Sequence, residues 1–387
     1  MFTGRFSETG REDAADLEKE ILALARELDV RLIGPNCMGV YNPRSRVAPG
    51  YDFPMEAGNV GLFLQSGSAS SEAVYYGSHR GLRFSKVISY GNALDIDESD
   101  ILEYLAQDEE TEIIASYIEG MTDGRRFLDV LRRAASSKPV ITLKAGRGKA
   151  GTKMAASHTA AMAGSLKIWE AAMRQAGAVQ ARTLEDMIDL IVSFDFLPPI
   201  KGNRIGIVGG GGGNSVLSAD EWEEAGFEVA PLPREIEEMI REKMPELWWG
   251  WIKNPLDVSL LPQEAFFGNL SGNMLKMMSQ SEGYDLVAAN LPIGGPFSGR
   301  LFAEYVRNQV ADIIEKAKDA VNPIVAVFST GPLRAVDLDD ERWRVLTEVM
   351  PQLTDAGVPV YTNATQAAGA IMRLIKYYQR RDGSPRG

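Results

Sequence analysis

Two histidines, one cysteine and two small-residue turns hold most of the chemical potential of this 387-residue chain. His79 and His158 are its whole supply of imidazole, which excludes a multi-histidine metal site, and the lone Cys37 excludes an internal disulfide or a cysteine-rich zinc centre. No metal site is expected. His158 ends a long run of small and basic residues, 145–165 (AGRGKAGTKMAASHTAAMAGS), whose neighbours leave room for a reactant to approach its ring. An ordinary loop histidine is the plainer reading, and it gives no reason for so many small residues. His79 lies near the end of a helical stretch just before Gly81, where an imidazole interacts favourably with the last helical carbonyls, so a structural role is expected.

The two turns are anion-binding candidates. In GLFLQSGSASSEA an apolar strand stops at Ser66-Gly67-Ser68 and a helix of small residues begins; in RIGIVGGGGGNSVLSA a strand runs into Gly209 to Gly213, then Asn214 and Ser215. Each directs several backbone N–H groups out of a helix N-terminus, where the macrodipole also favours negative charge. Ser and Gly are also common helix caps, so one such turn is weak evidence, and two in one chain strengthen it. Glu119, in Tyr117-Ile118-Glu119-Gly120, reads by itself as an exposed carboxylate at a strand end.

The surrounding chain alternates strand and helix. Candidate strands are Val60 to Gln65, Phe84 to Tyr90, Glu112 to Ile118 and Pro139 to Lys144, with helices from about Ser68, Asp97, Gly124 and Ser165. After Leu197-Pro198-Pro199 a second block has strands at Arg204 to Val208, Val229 to Pro231, Leu286 to Leu291, Pro323 to Phe328 and Pro359 to Thr362, and a last helix from about Thr365. Such alternation predicts an α/β fold of two doubly wound domains with mostly parallel sheets, residues 57–198 and 199–378, with ligands at the carboxyl ends of the strands. Ahead of them, residues 12–29 space Leu17, Ile21, Leu24 and Leu28 as one apolar helix face, and VRLIGPNCMGVYNP reads as a short strand broken at Gly34-Pro35-Asn36. Residues 1–56 are thus expected to be the tail of a further domain plus a linker, and 379–387 a frayed tail. The cluster Trp248-Trp249-Gly250-Trp251 is expected to serve core or interface packing.

Bulk properties narrow the function. With 45% hydrophobic and 24% charged residues the chain is ordinary globular protein, and a net charge of −12 disfavours a nucleic-acid partner. No apolar run reaches the roughly 20 residues of a membrane helix, and MFTGRFSETG has no apolar core like a secretory signal, so a cytoplasmic protein without membrane contact is expected.

The strings LQSGSAS, YIEGMTDGRRF, KAGRGKAGTKMAASHTAAMAGS and NPLDV, in this order, resemble the NDP-forming acyl-CoA synthetases, relatives of succinyl-CoA synthetase. The resemblance extends from GRFSETG and IGPNCMGVYNP to the closing VPVYTNATQAAGAI. It is most specific around His158, where Ala160 and Met162 replace the Gly and Leu of the common SHTGALAGS. It implies flavodoxin-like ligase domains in which His158 takes a phosphoryl group and Glu119 holds the imidazole. Ser66, Gly67 and Ser68 would form one of two helix termini that bind the phosphohistidine, and Gly211, Gly212, Gly213 and Asn214 the other. The implied reaction is acyl-CoA + ADP + phosphate to acid + ATP + CoA, with coenzyme A, a small carboxylic acid and Mg-bound ADP or ATP as substrates and no prosthetic group. Family alpha chains begin with a complete Rossmann-like CoA-binding domain; here only its last helix and strand are recognisable, in residues 1 to about 45. The ATP-grasp nucleotide module is also absent, and no Walker-type loop replaces it. The expected partners are therefore an ATP-grasp beta-type subunit or domain and a CoA-binding domain, supplied by another chain or by sequence ahead of Met1, in an oligomer. A non-catalytic regulatory or binding subunit of the same fold is the alternative.

Overall fold

The computed structural model describes residues 1–50, 52–151, 153–154, 165–243, 253–257, 270–292, 299–329, 340–381 and 383. The chain divides into two compact units, Met1–Asp195 and Phe196–Gly387. His158 and the Trp248 to Trp251 cluster lie outside the described residues.

The first unit contains strands β1 (Gly39–Tyr41), β2 (Ala57–Leu64), β3 (Phe84–Ser89), β4 (Ile113–Ile118), β5 (Val140–Lys144) and β6 (Val179–Ala181). They form one sheet in the order β1-β3-β2-β4-β5-β6, parallel except for β1, which pairs antiparallel with β3. Strands FSKVIS and VITLK are buried along their whole length, as a parallel sheet covered on both faces requires. The helices are α1 (Glu12–Glu27), α2 (Gly67–His79), α3 (Glu98–Gln107), α4 (Gly124–Ser137), α5 (Leu166–Ala176) and α6 (Leu184–Phe196). Asp97 starts α3 with a capping box, and Asp123 accepts from the first N–H groups of α4, so each helix start is written in the sequence. α4 then buries Phe127, Val130, Leu131, Ala134 and Ala135, a helical stripe that packs with Phe63, Ile114 and Trp169.

The second unit has β7 (Arg204–Gly209), β8 (Glu228–Val229), β9 (Leu286–Pro292), β10 (Ile324–Ser329) and β11 (Val360–Tyr361) in the order β11-β10-β9-β7-β8, all parallel. Its helices are α7 (Gly212–Ala225), α8 (Arg234–Lys243), α9 (Leu270–Gln280), α10 (Gly299–Ala317), α11 (Glu341–Asp355) and α12 (Ala364–Arg381). Val287, Phe302, Val306, Phe328 and Val349 are among its buried core. Both units thus repeat one winding. The first strand of the block, β2 or β7, has the next strand on one side and the third on the other, so chain direction across the sheet reverses between β2 and β4 and between β7 and β9. These are the topological switch points where open α/β sheets bind ligands.

Two readings of the N-terminal segment are corrected. No strand precedes Gly34: residues 30–34 run irregularly beside 94–96, with Leu32 N donating to Asp95 Oδ2 (2.8 Å), Ile96 N to the Leu32 carbonyl (3.2 Å) and Leu94 N to the Gly34 carbonyl (3.1 Å). The strand lies later, at β1, and extends the first sheet. Helix α1 forms as its periodicity predicts, yet it buries Ala14, Glu18 and Ala25, while Leu17, Leu24 and Leu28 are 47%, 55% and 62% exposed. Polar contacts hold the inner face, Asn92 Nδ2 donating to Glu18 Oε1 (3.1 Å) and Glu8 Oε2 (2.8 Å).

Candidate functional site

At the first switch point the chain leaves β2 through Gln65 and enters α2 at Ser66. Ser66 is the N-cap: its Oγ accepts from Ala69 N (3.3 Å) and lies 3.0 Å from Ser68 Oγ. Gly67 opens the helix beside Met38, whose amide nitrogen would sit 3.1 Å from any Cβ placed there. No acidic residue occupies the first turn of α2, so the partial positive charge of this terminus is not offset from within.

The neighbouring strand β4 ends at Ile118, which brings Glu119 beside this turn. Gln65 makes the connection, its Oε1 accepting from both Glu119 N (2.7 Å) and Gly120 N (3.1 Å). On the other side Lys144, the last residue of β5, donates from Nζ to the carbonyls of Glu119 (2.6 Å) and Ala145 (2.6 Å). Gln65, Glu119 and Lys144 are 5%, 6% and 7% exposed. Burial pulls the Lys144 pKa down, and the Glu119 charge opposes that shift. Tyr117, behind Glu119, is pushed up to about 12 by burial and then by the Glu119 carboxylate. Glu119 is therefore a buried carboxyl residue with its backbone held from both sides, where the sequence alone read an exposed one. Neither Gln65 nor Lys144 was singled out by sequence reasoning. The same end of the sheet holds Glu98, whose carboxyl burial pushes up to about 7, and the buried Tyr90 phenol, raised by burial and then by the charges of Glu98, Glu119 and Asp97.

The second switch point is built differently. Gly209 and Gly210 adopt φ of 104° and 86°, and a Cβ on Gly209 would lie 2.2 Å from the Asn290 carbonyl, so only glycine fits. Gly211 is the N-cap, and Gly212, Gly213 and Asn214 open α7 with their surfaces exposed. No acidic residue lies in this first turn either. The NPLD segment gains a role here. Asn254 Nδ2 donates to the carbonyls of Ile205 and Ala230 (both 2.7 Å), and its Oδ1 accepts from Ile207 N (2.8 Å). Leu256 continues the contact, donating to Ile207 O (2.8 Å) and accepting from Gly209 N (3.1 Å). The segment lies against the end of β7 and sets Asp257 Oδ2 3.4 Å from where a Gly212 Cβ would be.

The structure thus brings Ser66, Gly67, Ser68 and Glu119 together at one switch point and places Gly211 to Asn214 at the equivalent point of the other unit. His79 ends α2, where the sequence reading put it, with Nδ1 2.8 Å from the Tyr75 carbonyl. Among the described residues no helix is long and apolar enough to cross a membrane, and no group of three or more His, Cys, Asp or Glu is placed to hold a metal ion.

Residues 57–194 match the succinyl-CoA ligase like flavodoxin domain. Over its full length the chain is 34% identical to the alpha subunit of ADP-forming acetate–CoA ligase II from Pyrococcus furiosus, covering 80% of that subunit. It is 29% identical to the ADP-forming 4-hydroxybutyrate–CoA ligase of Nitrosopumilus maritimus, again along its whole length, and spans about half (52%) of that longer chain. Among solved structures, dinucleotide-forming acetyl-coenzyme A synthetase 1 of Ca. Korarchaeum cryptofilum, in complex with phosphate and ADP, superposes with a TM-score of 0.77 at 26% identity. That match covers 99% of this chain and 77% of the other. With the matched domain, the superposed fold and a subunit relative along the full length of the chain in agreement, the chain belongs to the ADP-forming acyl-CoA ligase family as an alpha-type chain.

Proposed function

We propose that the chain is the ligase component of acyl-CoA + ADP + phosphate ⇌ carboxylic acid + ATP + CoA, with His158 as the phosphoryl carrier. Phosphate oxygen attacks the thioester carbonyl and expels the CoA thiolate, giving an acyl phosphate. A neutral His158 nitrogen then attacks phosphorus and the carboxylate leaves. The phosphohistidine finally passes its phosphoryl group to ADP, held with Mg²⁺ on an ATP-grasp beta-type partner. Glu119 accepts from the second ring nitrogen, which fixes the tautomer and keeps the attacking nitrogen deprotonated. The N-terminus of α2, and separately that of α7, offers backbone N–H groups and a positive dipole end suited to phosphoryl oxygens.

The observation that carries this reading is the seating of Glu119 beside the Ser66 turn, joined to it by Gln65. The full-length similarity to a ligase subunit supports it over a regulatory role. In this reading residues 1–56 are the remnant of a CoA-binding domain and a linker whose strand β1 joins the first ligase sheet, 57–198 and 199–378 are the two ligase domains, and the enzyme is an oligomer completed by CoA-binding and ATP-grasp modules. The acid is small, and the protein works in the cytoplasm.

Acetyl phosphate labelled in its phosphoryl group tests the carrier step directly. Acid-labile, base-stable label should map to His158, vanish in His158→Ala and persist in His79→Ala. Label on His79, or label surviving His158→Ala, overturns the assignment.

A further inference from the structure

We propose that Lys144 and Gln65 are positioning residues that set Glu119 for its work on the carrier histidine, an inference that rests on the phosphohistidine reading above. Three strand ends meet here. Gln65 follows β2 and precedes the Ser66 turn; Glu119 follows β4; Lys144 ends β5 and leads through Ala145 into the stretch that carries His158. A single oxygen, Gln65 Oε1, takes the N–H groups of Glu119 and Gly120, and a single ammonium, Lys144 Nζ, takes the carbonyls of Glu119 and Ala145. The Glu119 backbone is therefore held at both its donor and its acceptor. One of the clamps also binds the first residue of the histidine-bearing stretch, and the other adjoins the anion turn.

Simple structural need does not account for this choice. A buried lysine is costly because its charge is desolvated, and two neutral carbonyls offset only part of that cost. The opposing charge supplied here is Glu119 itself. Reacting groups displaced by about 1 Å lose on the order of a hundredfold in rate, so clamps on this backbone act on rate through Glu119.

The test is a double-mutant cycle on the full chain, read as the initial rate of acid-labile labelling of His158 by acetyl phosphate. Lys144→Met should slow labelling by about ten- to a hundredfold at saturating acetyl phosphate. In a Glu119→Ala background the same substitution should change the rate less than about twofold, because the residue through which it acts is gone. Gln65→Asn withdraws the acceptor by one methylene and carries the same cycle should Lys144→Met fail to fold. Equal slowing in both backgrounds overturns the proposal, since a general structural role does not depend on Glu119. A raised KM for acetyl phosphate with unchanged kcat also overturns it and makes Lys144 a phosphate contact. Unlabelled wild type refutes the functional reading and this inference together, whereas labelled wild type with additive effects refutes the inference alone.

Discussion

Gly213→Asp should stabilise the fold and suppress phosphorylation at once. Gly213 is the second residue of α7, is exposed, and a Cβ built on it meets nothing within 4 Å, so the new side chain enters open space. Folding gains from the change. A carboxylate in the first turn of a helix contributes about 0.3–1 kcal/mol through the macrodipole, and replacing a helical glycine adds a few tenths. For a unit of this size that amounts to about 2–4 °C in Tm. The bound phosphoryl group experiences the opposite. For a phosphoryl group resting on this terminus, a unit negative charge at roughly 5 Å and an effective dielectric of about 20 would oppose it by ~3 kcal/mol per phosphoryl charge. Even one such unit corresponds to about a hundredfold loss of phosphohistidine. Gly213→Ala, which gains up to about 1 kcal/mol of helix propensity and adds no charge, is the control and should label normally. Calorimetry gives the first quantity and labelling of His158 by acetyl phosphate the second. Normal labelling of Gly213→Asp would reduce the second turn to an ordinary helix start, and a lowered Tm would refute the electrostatic account of the terminus itself.

The Glu98 carboxyl, pushed up to about 7 by burial from an ordinary 4.5, binds its proton more tightly in the folded state. The stabilisation is complete below pH 4.5 and lost as pH rises through 7, about 3 kcal/mol in all. Urea unfolding should show wild type gaining most of this between pH 8 and 5 relative to Glu98→Gln; parallel curves would refute it. Ser66→Ala removes the acceptor of the Ala69 N–H and should cost about 1 kcal/mol, seen as a small fall in Tm. An unchanged Tm would mean that Ser66 is not a working cap.

The winding of both units was legible because its signals are local. Asp97 and Asp123 mark helix starts, FSKVIS and VITLK carry short β-branched and aromatic runs bounded by turns, and five successive glycines leave little choice but a turn. β6 and α6 went unread for physical reasons. VQA is three residues long, and α6 buries every residue from Met187 to Phe194, so it carries no face-to-face periodicity. At α1 the periodicity was real but marked the outer face, because exposure depends on what the helix packs against. In the site, the Ser66 and Gly211 turns could be found from residue type alone. Gln65 and Lys144 could not: a glutamine after a strand and a lysine ending one look like solvent-facing residues, and only the adjacency of β2, β4 and β5 turns them inward. The NPLD string was visible, but nothing in it announces an amide that ties Ile205, Ile207 and Ala230 together.

The self-contained strand orders have a practical consequence. Neither described sheet borrows a strand from the other: β1 to β6 all precede Asp195, and β7 to β11 all follow Phe196. Each half therefore carries a complete sheet of its own. A gene cut near residue 199 should yield two separately expressible proteins, which allows intein ligation to place isotope labels in one half only. Spectra of half the usual crowding would then follow either anion turn alone while the opposite half stays silent.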